Sequence, residues 1–161
     1  IDVVGKNPPT WLRELSQRDS HVHVPGFVDD VRPYFQKATV FVCPITDGGG
    51  TRLKILDALA MGMPVVSTTF AASGLALRDG AHLLIADTAE MFREQIMRLL
   101  ADTSLRQRLA QGAVEVVRQT YAWDTIGHSL VAAYEEAAVR NIKGISHPSI
   151  TPSAEKVILK P

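Results

Sequence analysis

The chain has 161 residues, of which 46% are hydrophobic and 21% are charged. That length suffices for one ordinary hydrophobic core and is too short for two domains of typical size. Seventeen basic residues balance seventeen acidic ones. No overall field therefore favours nucleic acid or an anionic membrane as a partner, and an anionic ligand needs a local site.

Two features bear on where the protein works. No apolar run has the roughly 20 residues that span a bilayer, and the first residues do not follow the pattern of a signal peptide. The single cysteine, Cys43, lies in an apolar run and predicts a buried, unreactive thiol in a reducing compartment. The expected location is therefore the cytoplasm.

Short β-branched apolar runs alternate with segments of helical periodicity from the first residue onward. This alternation predicts a Rossmann-like α/β fold, in which a mostly parallel sheet is flanked by helices. The predicted strands cover residues 1–4, 21–24, 39–43, 64–67 and 82–85. The predicted helices between them cover residues 10–16, 31–38 and 51–61.

The C-terminal part has a different pattern. Three consecutive helical segments are predicted over residues 88–101, 104–121 and 123–141, and they add helices beyond the alternating part. Residues 142–161 contain three prolines among scattered serines and predict a tail or linker. The expected domain therefore runs over residues 1–141. Because the chain opens on Ile1 directly in a strand-like run, we expect a piece of a longer protein.

The segment richest in chemical information is the loop between the third predicted strand and the next helix. Gly48, Gly49 and Gly50 let the backbone approach a ligand closely, and the helix N-terminus that follows suits phosphate. Arg52 and Lys54 lie in the first turn, where a cation costs roughly a few tenths of a kcal/mol unless an anion is near. The pattern predicts phosphate binding. The alternative is a plain loop with both cations solvated.

Other ligand classes are disfavoured by the same residues. The loop lacks the Gly-Lys-Ser/Thr ending of a triphosphatase P-loop and the G-x-G-x-x-G order of a dinucleotide site. His21 and His23 alternate along a predicted strand, but no third ligand accompanies them. We therefore predict no metal site.

Several separated motifs occur along the chain in a characteristic order. Residues 4–8 read VGKNP, residues 24–31 read VPGFVDDV, and residues 48–67 read GGGTRLKILDALAMGMPVVS. Gly74, Gly80 and the Tyr-Ala-Trp element at 121–123 follow. Over about residues 1–140 the chain resembles the C-terminal, donor-binding domain of the group-1 (family 4) retaining glycosyltransferases of GT-B fold.

The resemblance implies an activity for the longer protein. It would be a glycosyltransferase of polysaccharide biosynthesis that moves a sugar from a UDP- or GDP-sugar donor, with retention, to an acceptor held by an N-terminal domain. No metal and no further cofactor are implied. This chain alone would bind donor without turnover. Peripheral association of the parent with the inner face of the membrane, and a homodimer of the fragment, are left open.

The resemblance also assigns roles to particular residues. Asp57 matches the second acidic residue of the family's E-x7-E motif and would receive the ribose hydroxyls. The backbone N–H groups of Gly50 and Thr51 would contact the diphosphate, and Gly48 and Gly49 belong to the same binding loop. Arg52 or Lys54 would stabilise charge on the leaving nucleoside diphosphate. The apolar neighbours of Asp57, which are Leu56, Ala58 and Leu59, predict a half-buried position for its carboxylate.

The nucleobase would rest against the end of the second predicted strand. The resemblance places Gly26 and Phe27 there, although Phe27 could equally belong to the core. No metal of the Asp-x-Asp kind is needed by the family, so Asp29 and Asp30 are interpreted as caps of the next helix.

The chain departs from the family pattern in two respects. Gly49 stands where the first acidic residue of E-x7-E belongs, which puts recognition of the sugar in doubt. The family's first βα unit, which often carries a phosphate-binding Arg/Lys pair, is absent from the chain. These departures leave open the alternative of an inactive nucleotide-binding module. A second alternative is an enzyme like the nucleotide-sugar 2-epimerases, which share the GT-B architecture.

Overall fold

The structure is a computed structural model that describes residues 1–50 and 52–142. The chain divides into two compact units, residues 1–121 and residues 122–161. The described strands are β1 (Asp2–Val4), β2 (His23–Gly26), β3 (Phe41–Cys43), β4 (Val65–Ser67) and β5 (Leu84–Ile85). The helices of the first unit are α1 (Thr10–Arg18), α2 (Arg32–Lys37), α3 (Leu53–Ala60), α4 (Thr69–Ala72), α5 (Ala89–Ala101) and α6 (Thr103–Tyr121).

The order and type of the elements follow the sequence pattern, with two exceptions. β2 begins at His23, so the prediction that His21 shares this strand is wrong. His21 lies before it in a turn, where its ring Nδ1 is 2.9 Å from a carboxylate oxygen of Asp19. The second exception is α4, which the sequence pattern does not predict because four residues are too few to show a helical period.

Every pair of described strands is parallel, as the alternation predicts, but the strands form two separate sheets. β1 pairs with β2, and β3, β4 and β5 pair in that order. Within the described residues β4 alone has a strand on each side. All three of its residues are buried.

The core surrounds β4 on both faces of the larger sheet. Val65 and Val66 are adjacent in β4 and project to opposite faces, and each belongs to a different cluster. The cluster with Val65 contains Cys43, Ile55, Ala58, Leu59, Met63, Ala71, Leu83 and Ala113. The cluster with Val66 contains Leu84, Ala86, Leu99, Leu105 and Leu109. Full burial of one such leucine stabilises the fold by about 2 kcal/mol.

Residues 1–37, all of which the structure describes, pack much less tightly. Leu12 is their only buried side chain, at 8% exposure. β1 and β2 contain only exposed and half-buried residues, and Trp11 is 64% exposed. This part of the chain has the α/β alternation but little core of its own.

The predicted burial of the cysteine is confirmed. Cys43 is 1% exposed at the end of β3. Burial raises the pKa of its thiol, which outweighs the opposing field of Lys54 and Arg52. The thiol therefore stays protonated and packs as a small apolar side chain.

The long helix α6 is seated by close contacts with the loop before β5. A Cβ atom added at Gly112 would lie 2.6 Å from the carbonyl oxygen of Ala81, so the backbones meet there without a side chain between them. At the end of the helix, the hydroxyl of Tyr121 accepts a hydrogen bond of 2.6 Å from the N–H of Ala76.

The second unit contains one described helix, α7 (Trp123–Ile142), which begins at the tryptophan as predicted. The tail predicted after it lies, from residue 143, outside the described residues. Among the described residues, no helix combines the length and apolar character needed to cross a membrane.

Candidate functional site

The carboxyl ends of β3, β4 and β5 lie at one edge of the larger sheet because the three strands are parallel. The loop of residues 44–52 follows β3, Thr68 follows β4, and residues 86–88 follow β5. α3, α4 and α5 begin directly after these segments. Open α/β sheets bind their ligands at this edge, and the candidate site is located there.

The loop after β3 has a backbone that requires glycine at two positions. Gly48 has φ of +104° and Gly50 has φ of +87°. An added Cβ would meet nothing within 4 Å at Gly48, Gly49 or Gly50, so space is not what demands glycine. The demand comes from the left-handed backbone at Gly48 and Gly50. Successive N–H groups in turns of this kind can form an anion-binding concavity.

Arg52 does not extend into solvent, contrary to the alternative in which both cations are simply solvated. Its Nη1 donates to the carbonyl oxygen of Gly49 at 3.0 Å, and its Nη2 donates to that of Gly48 at 2.8 Å. Its guanidinium carbon lies 5.0 Å from the ring centroid of Phe70 in α4. Sequence reasoning missed Phe70 because no local pattern connects a residue of α4 with this loop.

Lys54 and Asp57 lie on the exposed side of α3. They are three residues apart and therefore share one face of the helix, while Ile55, Ala58 and Leu59 are buried on the other. Asp57 is exposed, so the prediction of a half-buried carboxylate is wrong. Lys54 makes no hydrogen bond or ion pair with the described residues, and the side chain is available to a ligand.

α4 is tied to the strand ends on both of its sides. The Thr68 hydroxyl donates to the carbonyl oxygen of Ile45, at the start of the glycine loop, and accepts from the N–H of Ala71 at 2.9 Å. The carboxylate of Asp87 accepts from the hydroxyl of Thr69 at 2.7 Å and from its N–H at 2.8 Å. These two bonds, side chain first, lower the pKa of Asp87. The three loops of the edge are thereby linked.

Gly26 and Phe27 lie at the carboxyl end of the smaller sheet. Gly26 ends β2 with φ of +79°. Phe27 is 61% exposed, which excludes the alternative that it belongs to the core. The Nζ atom of Lys6 lies 4.6 Å from the centroid of its ring, a distance typical of a cation–π contact.

An open depression of about 370 Å³ lies beside Phe27. Its lining includes two cations, Lys6 and Arg13, together with Asn7 and Gly26. The sequence analysis did not assign Lys6 or Arg13. The VGKNP motif and its lysine were the available signal for Lys6, whereas an arginine on a helix has none.

Three other expectations concern the start of α2, metal binding and Thr51. Asp30 accepts the N–H of Arg32, the first residue of α2, at 2.9 Å and pairs with its guanidinium. The N-cap position is Val31, which makes no side-chain capping bond, so the interpretation of Asp29 and Asp30 as the caps is wrong in position. Among the described residues, no group of three or more His, Cys, Asp or Glu side chains could hold a metal ion. Thr51 lies outside the described residues, and its assignment stays a prediction.

Comparison with known proteins identifies relatives of this chain. Residues 1–102 match the family model described as glycosyl transferases, group 1. A phosphatidyl-myo-inositol mannosyltransferase of Mycobacterium leprae is 28% identical over 146 residues, covering 88% of this chain and 39% of that protein. A lipopolysaccharide core biosynthesis glycosyltransferase of Rhizobium meliloti is 35% identical over 143 residues, covering 78% of this chain and 42% of that protein. The chain thus spans about two fifths of the length of the curated relatives it matches.

Solved structures support the fold. The C-terminal domain of a glycosyl transferase group 1 family protein from Francisella tularensis has a TM-score of 0.60 at 22% identity, covering 70% of this chain and 63% of that one. An Anabaena protein crystallised in complex with UDP has a TM-score of 0.71 at 17% identity, covering 84% of this chain and 40% of that one. The predicted Rossmann-like α/β fold, one half of the GT-B architecture, is confirmed.

Proposed function

The chain belongs to the group 1 glycosyl transferases, and on this basis we propose that it holds the nucleotide-sugar donor in a longer glycosyltransferase. The observation that carries the proposal is the glycine loop at the carboxyl edge of the larger sheet, with the N-terminus of α3 and the side chain of Lys54 beside it. The Anabaena protein of similar fold has been crystallised with UDP and with UDP-glucose.

The chemistry of donor cleavage explains this combination. As the glycosidic bond breaks, negative charge accumulates on the departing nucleoside diphosphate. Preorganised N–H groups, the positive end of a helix and a mobile cation stabilise that charge without reorganisation. We assign the diphosphate to residues 48–51 and to Lys54, with Arg52 beside them.

The ribose and the base complete the donor assignment. The exposed carboxylate of Asp57 is free of described partners and can accept charge-assisted hydrogen bonds from the ribose hydroxyls. We assign the base to Gly26 and Phe27, where an exposed aromatic face offers a stacking surface. Lys6, above that ring, adds a cation near the nucleotide.

The acceptor is bound by a part of the longer protein that lies outside this chain. Transfer requires the acceptor and donor to be aligned by both halves, so the chain by itself binds donor without transferring sugar, and the parent transfers with retention. The two curated relatives are named for phosphatidyl-myo-inositol and for lipopolysaccharide core. We propose an acceptor of this amphipathic kind, met by the parent at the inner face of the membrane.

The divided sheet supports the expectation that a first βα unit belongs to this domain. β1 and β3 each have one edge that no described strand pairs with. The doubly wound order is 3-2-1-4-5-6. In that order β2 and β1 correspond to the third and second strands, and β3, β4 and β5 correspond to the fourth, fifth and sixth. The place of the first strand then falls between β1 and β3. We propose that a strand of the parent fills that position.

The inactive binding module remains the second candidate because Gly49 stands where the family has an acidic residue toward the sugar. Such a module would bind the nucleotide but would not catalyse sugar transfer. Hydrolysis of the donor by the full-length parent decides between them, since a module without activity releases no free sugar.

The test of the proposal is calorimetric titration of this chain with UDP, GDP and ADP. We expect saturable binding of one nucleotide, weakened by about 1 to 3 kcal/mol in both Lys54→Ala and Asp57→Ala because a charge-assisted hydrogen bond is lost. Arg98→Ala is the matched control. Arg98 is exposed in the last turn of α5, roughly 15 Å from the end of that helix at the site. Absence of binding by all three nucleotides would count against the proposal.

A further inference from the structure

The guanidinium of Arg52 is held by the loop that it was expected to assist. Two of its N–H groups bind consecutive carbonyl oxygens, those of Gly48 and Gly49. A guanidinium is a planar fork that can bridge two acceptors at once, which a lysine ammonium on its flexible stem does not reproduce. Arg52 therefore acts on the shape of the backbone at this point.

The peptide geometry determines what this contact does. In a trans peptide the C=O and the following N–H lie in one plane and point in opposite directions. When Arg52 draws the carbonyls of Gly48 and Gly49 toward itself, the N–H groups of Gly49 and Gly50 are turned to the other side. Neither N–H donates to a described residue, and two adjacent N–H groups directed to one side form an anion-binding concavity.

Phe70 supports the guanidinium from a different part of the chain. The ring lies 5.0 Å from the guanidinium carbon. α4, which carries it, is anchored through Thr68 to the carbonyl of Ile45 and through Thr69 to Asp87 at the end of β5. The position of the ring is therefore set by the segments that follow β3, β4 and β5, and it limits where Arg52 can lie.

We propose that Arg52 is a positioning residue that aims the N–H groups of Gly49 and Gly50 at the donor diphosphate, that Phe70 holds Arg52 in place, and that Lys54 is the cation that meets the phosphate. The inference rests on the proposed function for the identity of the ligand. It divides a role that the sequence had assigned to Arg52 or Lys54 without distinction.

The decisive variant is Arg52→Lys, which keeps the charge and removes the fork. We expect Arg52→Lys to weaken binding of the preferred nucleotide as much as Arg52→Ala does, about tenfold or more, because two hydrogen bonds to the loop are lost. Retention of nearly wild-type affinity by Arg52→Lys would overturn the proposal, because the positioning role requires the guanidinium fork.

Phe70 is tested by a pair of variants and by salt. Phe70→Ala is expected to weaken nucleotide binding roughly threefold to tenfold. Phe70→Tyr is expected to bind like the wild type, because the tyrosine keeps the ring face. Lys54→Ala should make the affinity less dependent on salt, whereas Arg52→Lys and Phe70→Ala should leave that dependence unchanged. Equal affinity of Phe70→Ala and the wild type would remove Phe70 from the proposal.

A readout without nucleotide separates this inference from the proposed function. The amide resonances of Gly49 and Gly50 in the ligand-free chain should shift in Arg52→Lys and Phe70→Ala and stay in place in Lys54→Ala. If no nucleotide binds the wild type, the proposed function fails while these shifts still support the positioning role. Unchanged amide resonances in Arg52→Lys would refute the positioning role whatever binds.

Discussion

Residues 1–37 and residues 41–121 show the same alternation of strands and helices, yet they differ greatly in packing. In the second region β4 is buried along its whole length and has a cluster of side chains on each face. In the first region only Leu12 is buried. A parallel strand becomes buried only when helices cover both faces and strands cover both edges. The alternation alone does not provide this, and a two-stranded sheet is marginal by itself.

The difference in packing divides the candidate site into two parts. The glycine loop, Arg52 and α3 are supported by the well-packed region. Gly26, Phe27 and Lys6 are supported by the thin one. We therefore expect the phosphate end of the donor site to be rigid in this chain and the base end to depend on whatever strand fills the gap between β1 and β3.

The largest expected effect compares one leucine from each region. Leu59→Ala should lower the free energy of unfolding by about 3 to 5 kcal/mol, because Leu59 is fully buried among well-packed neighbours. Leu12→Ala should cost about half as much or less, since a thinly packed site can collapse onto the vacancy. Urea denaturation of both variants measures the difference. Equal losses would mean that the two regions are packed alike.

A pair of glycines sharpens the comparison at smaller scale. Gly112→Ala should destabilise the protein by about 1 to 2 kcal/mol, because a Cβ 2.6 Å from the backbone of Ala81 forces α6 to move, against a small gain in helix propensity. Gly5→Ala is the counterpart in the thin region, where an added Cβ meets nothing within 4 Å. It should change the stability by less than about 0.5 kcal/mol. Thermal unfolding of the pair is sufficient, and a destabilised Gly5→Ala would contradict the open packing.

The base end of the site provides the third test. Phe27→Ala should weaken nucleotide binding by about 0.5 to 1.5 kcal/mol, less than Lys54→Ala, because one exposed stacking surface is lost. Phe27→Leu, which keeps apolar bulk without a ring, should fall between this variant and the wild type. Titration of the nucleotide that the wild type binds decides the matter. A larger loss of affinity in Phe27→Ala than in Lys54→Ala would contradict the expectation that the phosphate end is the better ordered part of the site.

The smallest expected effect concerns acid stability. Hydrogen bonds from Thr69 lower the pKa of Asp87, so its stabilising contribution is present above the usual carboxyl range near 4 and is lost as the pH falls through the lowered value. Asp87→Asn should therefore destabilise the chain at neutral pH and differ less from the wild type below about pH 4.

Asp30 is the matched carboxylate in the thin region. Its pKa is also lowered, by the side-chain and backbone bonds of Arg32. That partner is only two residues away and remains close in the unfolded chain, so the pKa differs less between the two states. Asp30→Asn should change the acid sensitivity less than Asp87→Asn. Unfolding curves at pH 7 and pH 3 distinguish the two, and the opposite ranking would contradict the distinction between local and long-range partners.

Several features of the chain were predictable because they depend on residues close in sequence. The glycine loop is marked by three consecutive glycines between an apolar run and a helical period. The burial of Cys43 follows from its apolar neighbours. The start of α7 at Trp123 follows from the change of pattern there. The family resemblance rests on the same local motifs, and the family model confirms it.

Other features depend on the folded chain. Phe70 meets Arg52 because β4 lies beside β3 in parallel register, which brings α4 next to the glycine loop. Asp57 is exposed although its neighbours in sequence are apolar, because the rotation of α3 on the sheet places Ile55, Ala58 and Leu59 inward.

Local periodicity indicated the type and order of the elements other than α4, since side chains that repeat every two or every 3.6 residues favour strand or helix. The break between two sheets, the ties from α4 to Ile45 and Asp87, and the contact of Phe70 with Arg52 were set by residues distant in sequence. Strand order and register determine those contacts, and neither is encoded in any single segment.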